Sequence, residues 1–202
     1  MRMRQDRANL WRRAVARIVP RAGGWPGLCG PRQAVRTCRS PLCLGTARWL
    51  AGLPALGSVL YAPAVRRMLH GSPLPGLLVE SIELAPLLHT RSLACASAIT
   101  ADGPREWMEC RDAAGRLLAR LYLLPDTDYL AWDALYARAD AGAVAVPCAD
   151  VHAWRPARAQ LLRFRLHRHA GLQLLGADAV EASSALVREL AARIAREGST
   201  LG

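Results

Sequence analysis

The stretch "WMECRDAAGRLLARLYLLPDTDYLAWDALYAR", residues 107–138, decides how the rest of the chain is read. Two strand-like runs, "EWMECRD" and "RLLARLYLL", are joined through "DAAG", a four-residue turn containing glycine. That pattern predicts an antiparallel hairpin with one face on a core. After Pro125 the period changes. Tyr129, Leu130, Trp132, Asp133 and Tyr136 fall at helical offsets, which predicts a helix ending near Ala139.

The junction carries Asp126 and Asp128 around Thr127. A D-x-D after an apolar strand can hold a divalent metal through hard oxygen ligands. Transferases that use it carry a nucleotide-binding βαβ sheet upstream, and no such pattern precedes this one. The favoured reading is a helix start. Asp126 accepts from unsatisfied backbone N–H groups, and Asp128 sits where the helix dipole favours a negative charge.

Working outward, "LLVESIELAPLL" and "SLACASAIT" on the N-terminal side read as strands. "GSPLPG" at 71–76 is a turn-rich link, and residues 46–70 have helical spacing broken by Pro54, Gly57 and Pro63. Residues 20–45 read as loop with one short helix around "RQAVRTC". On the C-terminal side, "ARAQLLRFRLHRHAGLQLL" fits two periods. Leu162, Phe164 and Leu166 alternate with arginines as in a strand, whereas Leu161, Leu162, Arg165 and Leu166 share a helical face. "DAVEASSALVRELAARIAREG" predicts a helix capped by Asp178, with Glu181 completing a capping box and Gly198 ending it.

The 202 residues suit one domain, or one and a half, with ample apolar residues for a core. All 27 basic side chains are arginine, which together with a single Asn and a single Phe suggests GC-rich coding bias. Arginine content is therefore discounted as a signal by itself. The charge is uneven. Residues 1–79 hold 13 Arg and one acid, whereas residues 80–202 hold 14 Arg and 15 acids. The excess belongs to the N-terminal part, which can attract nucleic acid, an anionic membrane or an acidic small molecule. Leu10, Trp11, Ala14, Val15 and Ile18 form one helical face there, preferred as an amphipathic helix on its own domain over a membrane anchor or transit peptide. No apolar run approaches the roughly 20 residues that span a bilayer.

Metal and nucleophile readings are weak. The spacings of Cys29, Cys38 and Cys43, with His70 as a fourth ligand, fit no common zinc module. His167 and His169 would face one way on a strand and could share a metal. Cys148 and His152 lack an elbow or oxyanion hole. Trp107, Trp132 and Trp154 read as core or pocket wall rather than as a nucleic-acid stacking platform. Reduced cytosolic thiols are the default for the six cysteines.

The opening stretch resembles a segment of the bacterial haem-utilisation family, the HemS/ChuX-like hemin-degrading and hemin-transport proteins. Asp112, Gly115, Tyr122, Thr127, Asp128, Ala131, Trp132, Ala134 and Leu135 keep the family's spacing without a gap. "LPALGSVLYAPAVRRMLHG" (53–71), "SIELAPLLHTRSLACASAI" (81–99) and "LLRFRLHRHAGLQLLGAD" (161–178) are similar to further pieces in the same order. The last resembles a helical piece of the family, which would settle that stretch as helix. Together they cover roughly residues 46–197.

The resemblance implies an α+β fold, an antiparallel sheet with packed helices, amounting to about one half of the family plus the start of a second. It implies a domain over 46–202 preceded by a basic segment, 1–45. It also implies haem as cofactor, hemin as partner together with haem-uptake or haem-degrading proteins, and a cytoplasmic location. His70 is the implied iron ligand, with His89 as the other candidate. Arg91, Arg66 and Arg67 would pair with the propionates. No catalytic residue is assigned, and nucleic acid is not the expected partner.

Departures from the family are many. Its Thr-Arg-Asn-Glu run falls on Pro63, Ala64, Val65 and Arg66; its pocket arginine falls on Ala85; its neighbouring histidines fall on Thr90 and Ser92. This is the pattern of a shortened, eroded member. Two alternatives stay open: a structural or regulatory interaction domain without a ligand, and an Arg-rich nucleic-acid or membrane adaptor.

Overall fold

A computed structural model describes residues 37–42, 45–65, 72–100, 103–137, 156, 158–181 and 183–200. The fold is α+β, built on one eight-stranded sheet that is antiparallel except at one edge. Its centre is the expected hairpin, β5 (Gly103–Arg111) and β6 (Leu117–Tyr122). Asp112 makes the turn. Its Oδ1 accepts the N–H groups of Ala114 and Arg116 at 2.9 Å each, and its Oδ2 accepts Arg116 Nε at 2.7 Å. Gly115 follows at φ +77, a left-handed conformation that glycine adopts without cost.

β4 (Ser92–Thr100) pairs with the other side of β5, and β1 (Thr37–Leu42) closes that edge against β4. The sheet thus takes in residues ahead of position 46, and Thr37 and Cys38 lie in a strand rather than in a short helix. Beyond β6 come β2 (Ser58–Pro63), β7 (Gln160–His169), β8 (Leu172–Ala179) and finally β3 (Leu77–Val79), which runs parallel to β8.

Three segments differ from their sequence reading. Residues 58–63 are a strand, not the continuation of a helix. Every residue of β2 is buried, because it lies in mid-sheet with both faces covered, so it shows no alternation for a period to reveal. Residues 161–178 form the β7–β8 hairpin, not the helix implied by the family. The alternation of Leu162 and Phe164 with Arg163 and Arg165 is real: the first two are buried and the arginines exposed. Ala170 (φ 48) and Gly171 (φ 82) give the paired positive φ values of a two-residue hairpin loop. Residues 82–88 are helical turns, not strand. Ser81 Oγ accepts the Glu83 N–H at 3.1 Å to start a 3-10 turn, and Pro86 then sits in the first turn of α2 (Ala85–Leu88).

Both faces of the sheet are covered. On one, α1 (Thr46–Gly52), α2 and α3 (Tyr129–Ala137) bring Trp49, Leu50, Leu87, Trp132 and Leu135 onto Val59, Tyr61, Met108, Leu121 and Phe164. At Gly52 an added Cβ would run into the Leu135 side chain, so glycine lets α1 and α3 meet closely. On the other, α4 (Ala185–Thr200) seats Val187, Ala191 and Ile194 on Leu60, Ala62, Trp107 and Tyr122. Fully buried aliphatics such as Val187 contribute roughly 1.5–3 kcal/mol each. The N-cap of α4 is Ser184, whose Oγ accepts the Val187 N–H at 3.2 Å. Asp178 is not the cap; it belongs to β8 and pairs with Arg165. Nor does Gly198 end the helix, which runs on to Thr200. No described helix is long and apolar enough to cross a membrane.

Candidate functional site

At the β6–α3 junction the chemistry is that of a cap. Asp128 Oδ1 accepts the N–H groups of Leu130 and Ala131 at 2.9 and 3.0 Å. Thr127 is buried; its hydroxyl donates to Ser58 O at 2.5 Å and accepts the Leu124 N–H at 2.9 Å. Asp128 N–H reaches Leu56 O at 2.8 Å, so the junction is tied to β2 and to the turn before it. Asp126 points elsewhere and accepts the Ser184 N–H at 3.5 Å, at the start of α4. The two carboxylates serve different helices. Among the described residues no three His, Cys, Asp or Glu side chains converge as a metal site.

His70, Arg66 and Arg67 lie outside the described residues, as do Cys29, Cys43, Cys148, His152 and Trp154. His89 and Arg91 are brought together at the foot of α2. The His89 ring is half-buried, and its Nδ1 is fully enclosed without a hydrogen-bond partner among the described residues. The Arg91 guanidinium is committed to main chain: Nη2 donates to Ser72 O, and Nη1 to Thr90 O at 3.1 Å and Leu88 O at 3.4 Å. It staples the 72–76 turn to α2. His167 and His169 do share strand β7 and are exposed, with His167 Nε2 lying 3.6 Å from Glu80 Oε1. Cys110 is no nucleophile, since complete burial pushes its thiol well up and keeps it neutral.

The most charged constellation is one the sequence reading missed. Glu109 stands on β5, fully buried, on the α4 side of the sheet. Three guanidiniums converge on it. Arg111 Nη2 lies 2.6 Å from Oε2, Arg120 Nη2 3.1 Å from Oε1, and Arg39 Nε 3.3 Å from Oε2. Trp107 Nε1 donates to Oε1 at 3.1 Å, and Arg120 lies over the Trp107 ring at 5.4 Å. Arg111 is further fixed by Gly115 O at 2.7 Å. Burial pushes the Glu109 carboxyl up, but Arg120, Arg111, Trp107 and Arg39 outweigh it and hold the group below its usual range. The signal was available. Trp107, Glu109 and Arg111 alternate on one strand, and the hairpin register sets Arg120 directly opposite Glu109.

A cleft against α4 is lined by Pro125, Leu186, Glu189, Leu190 and Arg193 and holds about 240 Å³. Small-molecule pockets are typically about 300–1,000 Å³, so this cleft is too small for a porphyrin.

No family model matches the chain, and no curated protein sequence does. Among solved structures, the chain is similar to the Escherichia coli O157:H7 haem-degrading enzyme ChuS, with a TM-score of 0.38 and 20% identity. The match covers 55% of this chain and 39% of that one, so the chain spans well under half the length of ChuS. A likeness this distant carries no argument about ligand or activity.

Proposed function

We propose that the chain is a haem-utilisation-type domain that binds hemin and hands it on, without degrading it. The observation that carries the reading is His89. Its ring makes no hydrogen bond or ion pair among the described residues, which supports an imidazole as iron ligand at the foot of α2. The collinear resemblance over residues 46–197 supports the same reading. Thr127, Asp128 and Trp132 act in it as scaffold.

The fit to haem is partial. His89 offers a nitrogen donor, with His70 the other candidate. Arg91 is spent on three carbonyls, which leaves Arg66 and Arg67 as the proposed propionate partners. Haem would supply the iron centre, and the chain's part is to bind and orient it.

A second reading, an interaction domain without a ligand, is favoured by the loss of the family's pocket arginine at Ala85, which is buried in α2. Hemin titration of the purified full chain separates the two. A saturable, red-shifted Soret band supports the first. No shift at micromolar hemin leaves the second. The location proposed is the cytoplasm, and the proposed partners are haem-uptake or haem-degrading proteins.

A further inference from the structure

Helix α4 presents a second apolar flank. Leu186 and Leu190 stand one turn apart, beside the Val187, Ala191 and Ile194 stripe that packs on the sheet. Leu186 is 62% exposed and Leu190 half-buried. With Pro125, Glu189 and Arg193 they line the cleft described above. Asp126, next to Pro125, is exposed and accepts the Ser184 N–H at the start of α4. Two carboxylates, Asp126 and Glu189, thus border the cleft, and Arg193 is held by Glu189.

The chain ahead of β1 starts close to this cleft. Thr37 pairs with Ala98, and Ala98 with Arg105. Arg105 stands two residues before Trp107 on β5, and Trp107 pairs with Tyr122, three residues before Pro125. The chain therefore enters β1 at the same end of the sheet as Pro125, three strand spacings or about 15 Å away. Residues 1–36 precede that point and lie outside the described residues. Among them, Leu10, Trp11, Ala14, Val15 and Ile18 recur at helical spacing, and residues 7–19 carry four arginines and no acid. The 18 residues between Ile18 and Thr37 reach roughly 60 Å when extended, well beyond that separation.

We propose that residues 7–19 dock on this domain, seating their apolar face against Pro125, Leu186 and Leu190 with their arginines beside Asp126 and Glu189. Burial of apolar side chains supplies the attraction, and the opposite charges set the orientation. The cleft receives side chains, since it is too small for a porphyrin. It lies on the sheet face away from α2 and His89, so docking does not depend on hemin binding.

The test is limited trypsin digestion of the full chain, with the rates of cleavage after Arg12, Arg13 and Arg17 followed by mass spectrometry. Docking hides these bonds, so cleavage should track the undocked fraction. Leu186→Ser on the cleft and Leu10→Ser on the segment should each speed it by about tenfold or more. Ile82→Ser, at an exposed residue in the turn before α2 on the other sheet face, should leave the rates unchanged. The wild-type rates should not depend on protein concentration. The proposal is overturned if wild type is cut as fast as Leu186→Ser, or if Ile82→Ser speeds cleavage as much as Leu186→Ser. Acceleration by Leu186→Ser without acceleration by Leu10→Ser also overturns it, because α4 itself would then have loosened. Protection that grows with protein concentration overturns it in favour of a second copy of the chain covering the cleft.

Discussion

Glu109 and Arg120 stand directly opposite each other in the β5–β6 hairpin and pair at 3.1 Å between Oε1 and Nη2. A cross-strand pair of opposite charge is ordinarily worth about 0.2–1 kcal/mol. Here the carboxylate is fully buried and two further arginines share it. The hairpin that set the reading of the chain is therefore also where its buried charge is concentrated.

Glu109→Gln should destabilise the chain by about 3 kcal/mol, because it leaves buried guanidiniums without their anion. Equilibrium urea unfolding at neutral pH checks this. The mutation keeps the side-chain volume, so a loss below 0.5 kcal/mol, roughly the scatter of an ordinary surface change, would mean that the cluster contributes nothing.

The same group sets an acid limit. Its folded pKa lies below the ordinary 4.5, so its contribution is fully present above about pH 4.5 and is lost as pH falls through the lower folded value. Wild type should lose stability across that window, and Glu109→Gln should show a smaller loss there. Parallel curves for the two proteins would contradict the assignment.

Asp128→Ala should cost about 1 kcal/mol, and Asp128→Asn much less, since asparagine also caps. A metal ligand would behave differently, for either change would abolish metal binding. Chemical denaturation of the two variants, with and without millimolar Mg²⁺ or Mn²⁺, distinguishes cap from ligand. Metal-dependent stabilisation of wild type alone would revive the D-x-D reading.

Gly171→Ala should destabilise by about 1 kcal/mol through backbone strain alone. The residue sits at φ +82, and nothing lies within 4 Å of where a Cβ would be. A neutral outcome in thermal unfolding would mean that the β7–β8 turn has another geometry.

What could be read from sequence was local and periodic. The β5–β6 hairpin, the strand at 92–100, the helix after Pro125 and the cap at Asp128 all follow from turn chemistry and side-chain period within short windows. β2 could not be read that way, because a strand buried on both faces shows no alternation. At β7 the alternation was correct, and the resemblance to a helical piece of a distant family overrode it. Asp178 looked like a cap because Glu181 stands three residues on, yet Arg165 across the hairpin holds Asp178 in a strand. The Glu109 cluster was missed for two reasons. In a chain whose every basic side chain is arginine, its arginines do not stand out from compositional bias, and Arg39 reaches it only through the β1–β4 pairing, 70 residues away in sequence. His89 and Arg91 do meet at one corner, but Arg91 is occupied there by carbonyls that no sequence pattern foretells.

The proposed hemin binding depends on an imidazole, His89 or His70. The most direct measurement is a titration of the purified full chain with hemin, following the Soret band, for wild type, His89→Ala, His70→Ala and the double variant. Wild type should give a saturable red-shifted band at micromolar hemin that one single variant and the double variant lose. A wild-type spectrum equal to free hemin, or a shift that survives in the double variant, would contradict it.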